Sequence, residues 1–321
     1  MANNSISNST VVLPVEYGRE IIRGIVGRSK ALELGRRLPD MRGKTYKLNV
    51  LSNLPVAGWV SKQATPINAD EPELKNKPVS YLAFEGVDLV AEEIAVIVPI
   101  SINTLNDVQD FGIELLPEVS EQVVAAFQEV IDATIFFGVN SPWTGFTGLV
   151  AAATSAGATV SWDGSAGLSF YQAINSAMEY VENSGYVPTA ILGGPSLNAA
   201  YRNTITTLGV LAGDQGEIGA LPRHIDLTGG FDQSTAFAIV GDFRYLVYSF
   251  REEMSMRILY EATLKDPATG DELYNLAQQD MIGLRFTMRL GAAIANPVNR
   301  VDGGATRYPF AVITKAGQGS N

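Results

Sequence analysis

Between Leu105 and Gly138 the chain carries a run that only a long amphipathic helix accommodates. Leu116, Val119, Val123, Phe127, Val130, Ile131 and Ile135 recur at steps of three and four, so 3.6 residues per turn align them on one face. Glu114, Glu118, Glu121, Gln122, Glu129 and Asp132 fill the other positions. Asp107 suits the free amides of a first turn, Asp110 adds negative charge near the positive helix end, and Gly138 supplies a left-handed stop. From Asp107 to Gly138 such a helix measures about 45 Å, long beside an ordinary helix of about three turns. It is expected to span a domain. Pro117 lacks a backbone donor and crowds the preceding turn, so the helix either bends there or begins near it after a separate turn.

Composition narrows function mainly by exclusion. A chain of 321 residues with 46% hydrophobic content sustains two modest domains or one elongated one. Its formal net charge of -11 opposes nucleic-acid binding, which rests on lysine and arginine displacing counterions. With no cysteine there are no disulfides, thiolate metal sites or cysteine nucleophiles, and a reducing cytoplasm suits the chain. His224 is the one histidine; it cannot build a multi-histidine zinc site and is read as a plain surface or loop residue. The opening MANNSISNST is polar, unlike a signal peptide, and no apolar run reaches the roughly 20 residues that cross a bilayer, so no membrane partner is expected.

Signatures of chemistry are equally sparse. No phosphate loop, nucleophile elbow or HExxH helix occurs. The glycine-rich loop Gly209 to Gly219 contains Asp214 and Glu217 and lacks the flanking strand and helix of a dinucleotide site. The adjacent acids Glu92–Glu93 and Glu252–Glu253 point to opposite faces if they lie in strands, so neither pair forms an acid–base couple alone. A hydrolase would have to unite distant acids such as Asp163, Asp242 and Glu253. No cofactor, metal or catalytic residue is expected.

Along the chain, Met1 to Thr10 is a polar arm, Val11 to Pro14 is extended, and Val15 to Val26 has the pattern of a short amphipathic helix closed by Gly27. Ala31 to Leu38 is a second short segment. Strands are predicted at Lys44 to Leu51 and Pro78 to Phe84. The connection between them, Ser52 to Lys77, is too long for a tight turn and is read as a projecting hairpin whose Trp59 and Val60 another chain covers. Glu92 to Ile102 has the continuous apolar character of a strand buried on both faces and leads into the long helix. A small-residue boundary after Gly138 precedes a helix at Leu168 to Asn183, a buried strand at Thr189 to Leu192 and a helix at Ser196 to Thr204. Ala236 to Val240, Tyr245 to Phe250 and Met254 to Tyr260 read as three strands, and Lys265 to Gly270 as a hairpin tip. Ile282, Leu284, Phe286, Met288 and Leu290 alternate with Gly283, Arg285, Thr287 and Arg289, predicting a strand with one apolar face. The acids for its two arginines are expected on the long helix or a neighbouring subunit. Ala311 to Thr314 is read as an edge strand.

Several of these runs, taken in order, carry a resemblance. VVLPVEYGREIIRGIVGRSKALEL looks like an arm with an "L-P-x-E" turn, and YKLNVLSNLPVAGWVSKQ is similar to a loop opening with Ala57 and Trp59 in place. AVIVPISINTLNDV and EVIDATIFFGVNSPWTGFTGLV resemble the entry to and end of a spine helix. AFAIVGDFRYLVYSFREEMSMRI resembles a "G-D-F" strand pair, and DMIGLRFTMRLGAAIANPVNRV a closing strand. From about Val11 to Val301 the ordered set resembles the major capsid proteins of tailed bacteriophages with the Hong Kong 97-like fold.

That resemblance implies an α+β chain with an N-terminal arm (1–32), an extended hairpin loop (44–85), a peripheral domain (33–43, 86–148 and 248–290) containing the spine helix at about 107–138, and an axial domain (149–247 and 291–321). It implies a structural, non-enzymatic protein assembled in the host bacterial cytoplasm and resident in the virion, where hexamers and pentamers of the chain form an icosahedral shell around double-stranded DNA. DNA is then touched only by non-specific proximity. A separate scaffolding protein, portal or decoration protein is an implied partner; the start of the chain almost at the arm implies a separate scaffold or none. Assembly contacts are expected at Trp59, Val60, Lys62, Lys75, Lys77, Glu114, Glu118, Arg285 and Arg289. Lys62 departs from the acidic residue many members carry after the tryptophan, so the charges of the neighbour contact differ here. Some members crosslink a loop lysine to an asparagine; Lys62, Lys75, Lys77 and Asn275 are available by type, with nothing to select a pair. An encapsulin-type compartment shares the fold and differs by a protein cargo.

Overall fold

The computed structural model describes residues 28–57, 59, 79–110, 115–164, 168–203, 221–304 and 306–315, apart from the side chains of 107–110, 115 and 168. The described residues fall into two compact units, one drawn from Val98–Glu121 and Ile258–Leu284, the other from Val26–Ile97, Gln122–Arg257 and Arg285–Asn321. In chain order the first elements are α1 (Lys30–Leu34), β1 (Arg36–Arg37), β2 (Thr45–Asn53), β3 (Ala83–Val90), β4 (Glu92–Ser101), α2 (Ile102–Asp110) and α3 (Leu115–Phe137). Then come α4 (Leu149–Ser155), β5 (Thr159–Trp162), α5 (Leu168–Asn183), β6 (Ala190–Gly193), α6 (Ser196–Arg202), β7 (Arg223–Ile225) and β8 (Ala238–Gly241). The last are β9 (Leu246–Leu259), β10 (Thr263–Lys265), β11 (Glu272–Asn275), β12 (Met281–Ile294) and β13 (Phe310–Lys315). Of the expected arm (1–32) only 28–32 are described, and the expected glycine-rich loop Gly209 to Gly219 lies outside the described residues.

The long helix is described in two stretches, α2 (Ile102–Asp110) directly after β4 and α3 (Leu115–Phe137), with 111–114 outside the described residues. The bend or separate start expected around Pro117 falls against that stretch, so the described residues do not decide between them. Val123, Phe127, Ile131 and Ile135 are buried as the spacing predicts, while Val130 is exposed.

At its end Gly138 adopts φ 70° and donates to Thr134 O at 2.9 Å. The following loop returns to the helix end so closely that a Cβ on Gly148, at φ 89°, would sit 2.4 Å from Gly138 N. Two backbones therefore touch where only glycine fits. We expect Gly148→Ala to cost about 2 kcal/mol or more from strain and clash, measurable by urea unfolding; an unchanged midpoint would show that this crossing is relaxed.

In the larger unit two sheets carry the core. The four-stranded sheet has the order β1-β9-β12-β4, and the five-stranded sheet the order β5-β13-β8-β6-β7. β12 is not one-faced: Thr287 and Gly291 are buried as well as Phe286 and Met288, because the strand lies between β9 and β4 with both faces covered. β4 is the converse. It is an edge strand whose burial alternates, with Ile97 exposed, and an edge tolerates its Pro99. β9 is one strand where two were predicted, since Arg251–Glu253 are solvent-facing strand residues and not a turn. β13 is not at an edge: it pairs parallel with β5 and antiparallel with β8, and Phe310 to Ile313 are fully buried.

α5 presents Phe170, Ile174, Ala177 and Val181 to this sheet, all buried, and packs on β13, β5 and β8. Trp162, Phe170 and Phe237 form an aromatic cluster with ring centroids 4.6 to 5.7 Å apart. In the smaller unit β10 and β11 form the hairpin expected around Lys265 to Gly270, and Ile102 N at the start of α2 donates to Asp280 O at 3.0 Å.

Candidate assembly surface

The hairpin β2–β3 changes character along its length. Its register runs from Thr45 opposite Val90 to Asn53 opposite Ala83, so its second strand lies at 83–90 and not at the predicted 78–84. At the base, Val50, Leu89 and Ala91 are buried with Val247, Ala293 and Ala295. Val298 N donates to Leu51 O at 2.9 Å and Trp143 Nε1 to Val90 O at 2.9 Å, which ties the base to its surroundings. Toward the tip the apolar side chains are bare: Val56 is 71% exposed, Trp59 82%, Val79 78%, Tyr81 75% and Phe84 61%. The backbone there is nonetheless held, with Asn53 Nδ2 donating to Tyr81 O, Val56 N to Ser80 Oγ at 2.8 Å, and an Arg300 guanidinium N–H to Pro55 O at 3.0 Å. An ordered apolar patch in water is a surface waiting for a protein partner.

A second feature fixes where the chain leaves its N-terminal segment. Asp132, on α3, is fully buried among donors from elsewhere in the sequence. Its Oδ1 accepts from Ser29 Oγ at 2.7 Å and Ala31 N at 3.0 Å, and its Oδ2 from Lys30 N at 3.0 Å. The carboxyl group thus serves the free amides that begin α1, while Ser29 Oγ accepts from Leu32 N at 3.2 Å. Thr228 Oγ1 lies 3.2 Å from Asp132 Oδ2 and 2.7 Å from Asp226 Oδ1, and it accepts from Gly230 N at 3.2 Å. One hydroxyl proton cannot serve both carboxylates. The network closes when Asp132 holds a proton and donates to Thr228, which donates to Asp226.

Burial pushes the Asp132 carboxyl up to about 6, with Asp226 adding to the rise and the bonds from Ser29, Ala31 and Lys30 opposing it. The folded chain therefore keeps this proton to higher pH than the unfolded chain, whose aspartates titrate near 3.9. Stability from this group is complete below about pH 4 and is lost as pH rises through about 6. Thermal unfolding of the parent and of Asp132→Asn between pH 4 and 7.5 checks this: the parent's midpoint should fall relative to the variant's across that window. Parallel pH profiles would contradict the assignment.

The residues predicted for assembly are placed unevenly. Trp59 is on the exposed hairpin, whereas Val60, Lys62, Lys75, Lys77 and Glu114 lie outside the described residues. Glu118 is half-buried in the first turns of α3. Arg285 and Arg289 are half-buried on β12, and within the subunit Arg289 Nε lies 3.8 Å from Glu93 Oε2 on the adjacent strand β4. Such a partly exposed pair contributes at most about 1 kcal/mol. His224 is in β7, half-buried, 3.8 Å from Glu33, and burial lowers its affinity for a proton. Sequence reasoning missed Tyr81, Leu82 and Phe84 as surface, having placed them in a strand; the unbroken apolar run YLAF was the available signal. The three distant acids serve separate partners, Asp163 with Ser169 at 2.9 Å, Asp242 with Arg244 at 2.6 Å, and Glu253 with Arg37 at 2.9 Å.

The sequence profile described as the phage capsid family matches residues 9–207, more than half of the chain. The chain belongs to the phage capsid family. This α+β member is 32% identical to a solved chain from Microbacterium phage Oxtober96, with a TM-score of 0.80 over 98% of this chain and 100% of that one. A chain from Mycobacterium phage Adephagia is 26% identical, with a TM-score of 0.82 over 98% of each. The capsid of an empty GTA particle computed with C5 symmetry shares the fold at 14% identity, with a TM-score of 0.58 over 94% of this chain and 95% of that one. Among curated proteins no match is found. For a capsid-family chain, the bare hairpin is the feature that most directly calls for a neighbour.

Proposed function

We propose that this chain is a major capsid protein whose copies assemble through the β2–β3 hairpin into an icosahedral shell enclosing phage double-stranded DNA. The carrying observation is the set of exposed apolar side chains Val56, Trp59, Val79, Tyr81, Leu82 and Phe84, joined to membership of the phage capsid family. The described loop residues Val56, Trp59, Val79 and Tyr81 are bare in one subunit, and covering them by another subunit adds stability. On this reading residues 1–32 form an arm, the spine helix and four-stranded sheet belong to a peripheral domain, and the five-stranded sheet belongs to an axial domain near the symmetry axes. Trp59, Val60, Lys62, Lys75, Lys77, Glu114, Glu118, Arg285 and Arg289 lie at subunit contacts, and scaffolding, portal or decoration proteins are further partners. The net charge of -11 keeps DNA contacts weak, so the packaged genome slides. Assembly takes place in the host cytoplasm and the product resides in the virion.

Particles purified from infected host cells test this. Nuclease-resistant double-stranded DNA inside particles built of this chain is the expected result. Particles holding protein cargo and no DNA would instead indicate a compartment shell, and absence of the chain from particles would overturn the reading.

A further inference from the structure

The turn 226–230, which leaves β7 at the edge of the five-stranded sheet, lies directly on the backbone of α3. A Cβ on Gly230 would stand 2.5 Å from Glu129 O and 3.0 Å from Ala133 N. Just past the turn, Phe231 packs edge to face on Phe136 and Phe137, with ring centroids 6.1 and 5.3 Å away. On the sheet side Asp226 N donates to Gly193 O of β6 at 2.9 Å. The turn is therefore a clasp between α3 and the sheet.

Two carboxyl groups meet inside it. Asp226 Oδ1 accepts from Thr228 N and Thr228 Oγ1, each at 2.7 Å, while its Oδ2 is buried with no hydrogen-bond partner among the described residues. Buried polar atoms are ordinarily paired, so this oxygen is a weak point of the clasp. The two sides of Asp132 respond in opposite ways when its proton leaves. Toward α1 it faces the donors Ser29 Oγ, Lys30 N and Ala31 N, whose bonds strengthen to a charged acceptor. Toward the turn one hydroxyl hydrogen stands between two carboxylates, and their repulsion is poorly screened in a buried setting. The other charged groups nearby are Lys30 and Glu33 of α1, paired with each other, His224 of β7, 3.8 Å from Glu33, and Glu129 of α3, beside Gly229. Asp226 carries the charge that opposes ionisation of Asp132.

We infer that this clasp is a proton-controlled hinge: loss of the proton held between Asp132, Thr228 and Asp226 loosens the turn 226–230 from α3 while α1 stays bound. The hinge stands apart from the shell reading, since all its parts lie in one subunit. With the clasp closed, burial holds the Asp132 carboxyl at about 6. In an open turn water reaches the group, which returns to the ordinary aspartate range near 3.9. The closed form thus keeps the proton to higher pH, is favoured in acid, and yields as pH rises. For those two affinities the opening equilibrium grows about tenfold between pH 5 and pH 7.5.

Hydrogen–deuterium exchange of the full chain tests this, read by mass spectrometry on peptides covering 226–231 and 29–34 and corrected for the intrinsic pH dependence of exchange. Protection of 226–231 should fall about tenfold from pH 5 to pH 7.5, with 29–34 unchanged. Thr228→Val should leave 226–231 weakly protected at both pH values, because the bridging hydroxyl is gone. Asp226→Asn should flatten the response by removing the charge that faces Asp132, and His224→Gln should leave it as in the parent. Equal loss of protection in both peptides would mean that the whole junction opens, and would overturn the hinge. So would a 226–231 peptide whose protection ignores pH. A response abolished by His224→Gln would assign the proton to the histidine and overturn it likewise.

Discussion

Replacing Asp132 with alanine is expected to lower the unfolding free energy by about 3 kcal/mol at pH 5, and by clearly less at pH 8. The side chain ties Ser29, Lys30 and Ala31 to α3, and its removal strands the buried Ala31 amide, the part-buried Lys30 amide and the buried Ser29 hydroxyl. Each orphaned buried group costs about 1–3 kcal/mol, offset where water enters the space left. The pH dependence follows from the raised carboxyl affinity. A rise from 3.8 to about 6 makes the ionised form about 3 kcal/mol less favourable in the folded chain than in the unfolded one. Above that range the parent has already lost this stabilisation, and the gap between parent and variant narrows. Urea unfolding of both chains at the two pH values measures it. A deficit that grows with pH would mean that the carboxyl works as an anion, held by the α1 amides.

Trp59→Ala is expected to leave subunit unfolding unchanged within about 0.5 kcal/mol, yet to weaken subunit association by roughly thirtyfold, the effect of losing about 2 kcal/mol at an aromatic anchor. The side chain is 82% exposed, so truncation removes little from the isolated fold. Leu89→Ala supplies the contrast at the base of the same hairpin. Leu89 is fully buried, and its loss should cost about 2–5 kcal/mol of folding stability. Sedimentation velocity reads association and thermal melts read folding. Should Trp59→Ala destabilise the subunit as Leu89→Ala does, the loop belongs to the core and the assembly surface is elsewhere.

Periodicity and punctuation are local, and what they determine was legible. The apolar face of α3, the stop at Gly138, the buried strand β6 and the turn between β10 and β11 all follow from nearby residues. Strand order is not local. The run AVIT that became the central strand β13 has the same composition whether it sits at an edge or between β5 and β8. Likewise the charges Arg251–Glu253 look like a turn until β9 is known to have a solvent face there. Asp132 shows the limit most clearly. Helical spacing assigns it to the polar face as a solvated acid, whereas the groups that bury it come from about 100 residues earlier. The exposure of Trp59 was legible because a tryptophan on a long loop lacks local apolar company.

Electron microscopy of the purified full chain tests the central claim most directly. The account predicts closed icosahedral shells, or the hexamers and pentamers from which they form, with the hairpin of each subunit covered by a neighbour. A strictly monomeric protein under every assembly condition, including added phage-lysate factors, with the Trp59 loop still bare, would contradict it.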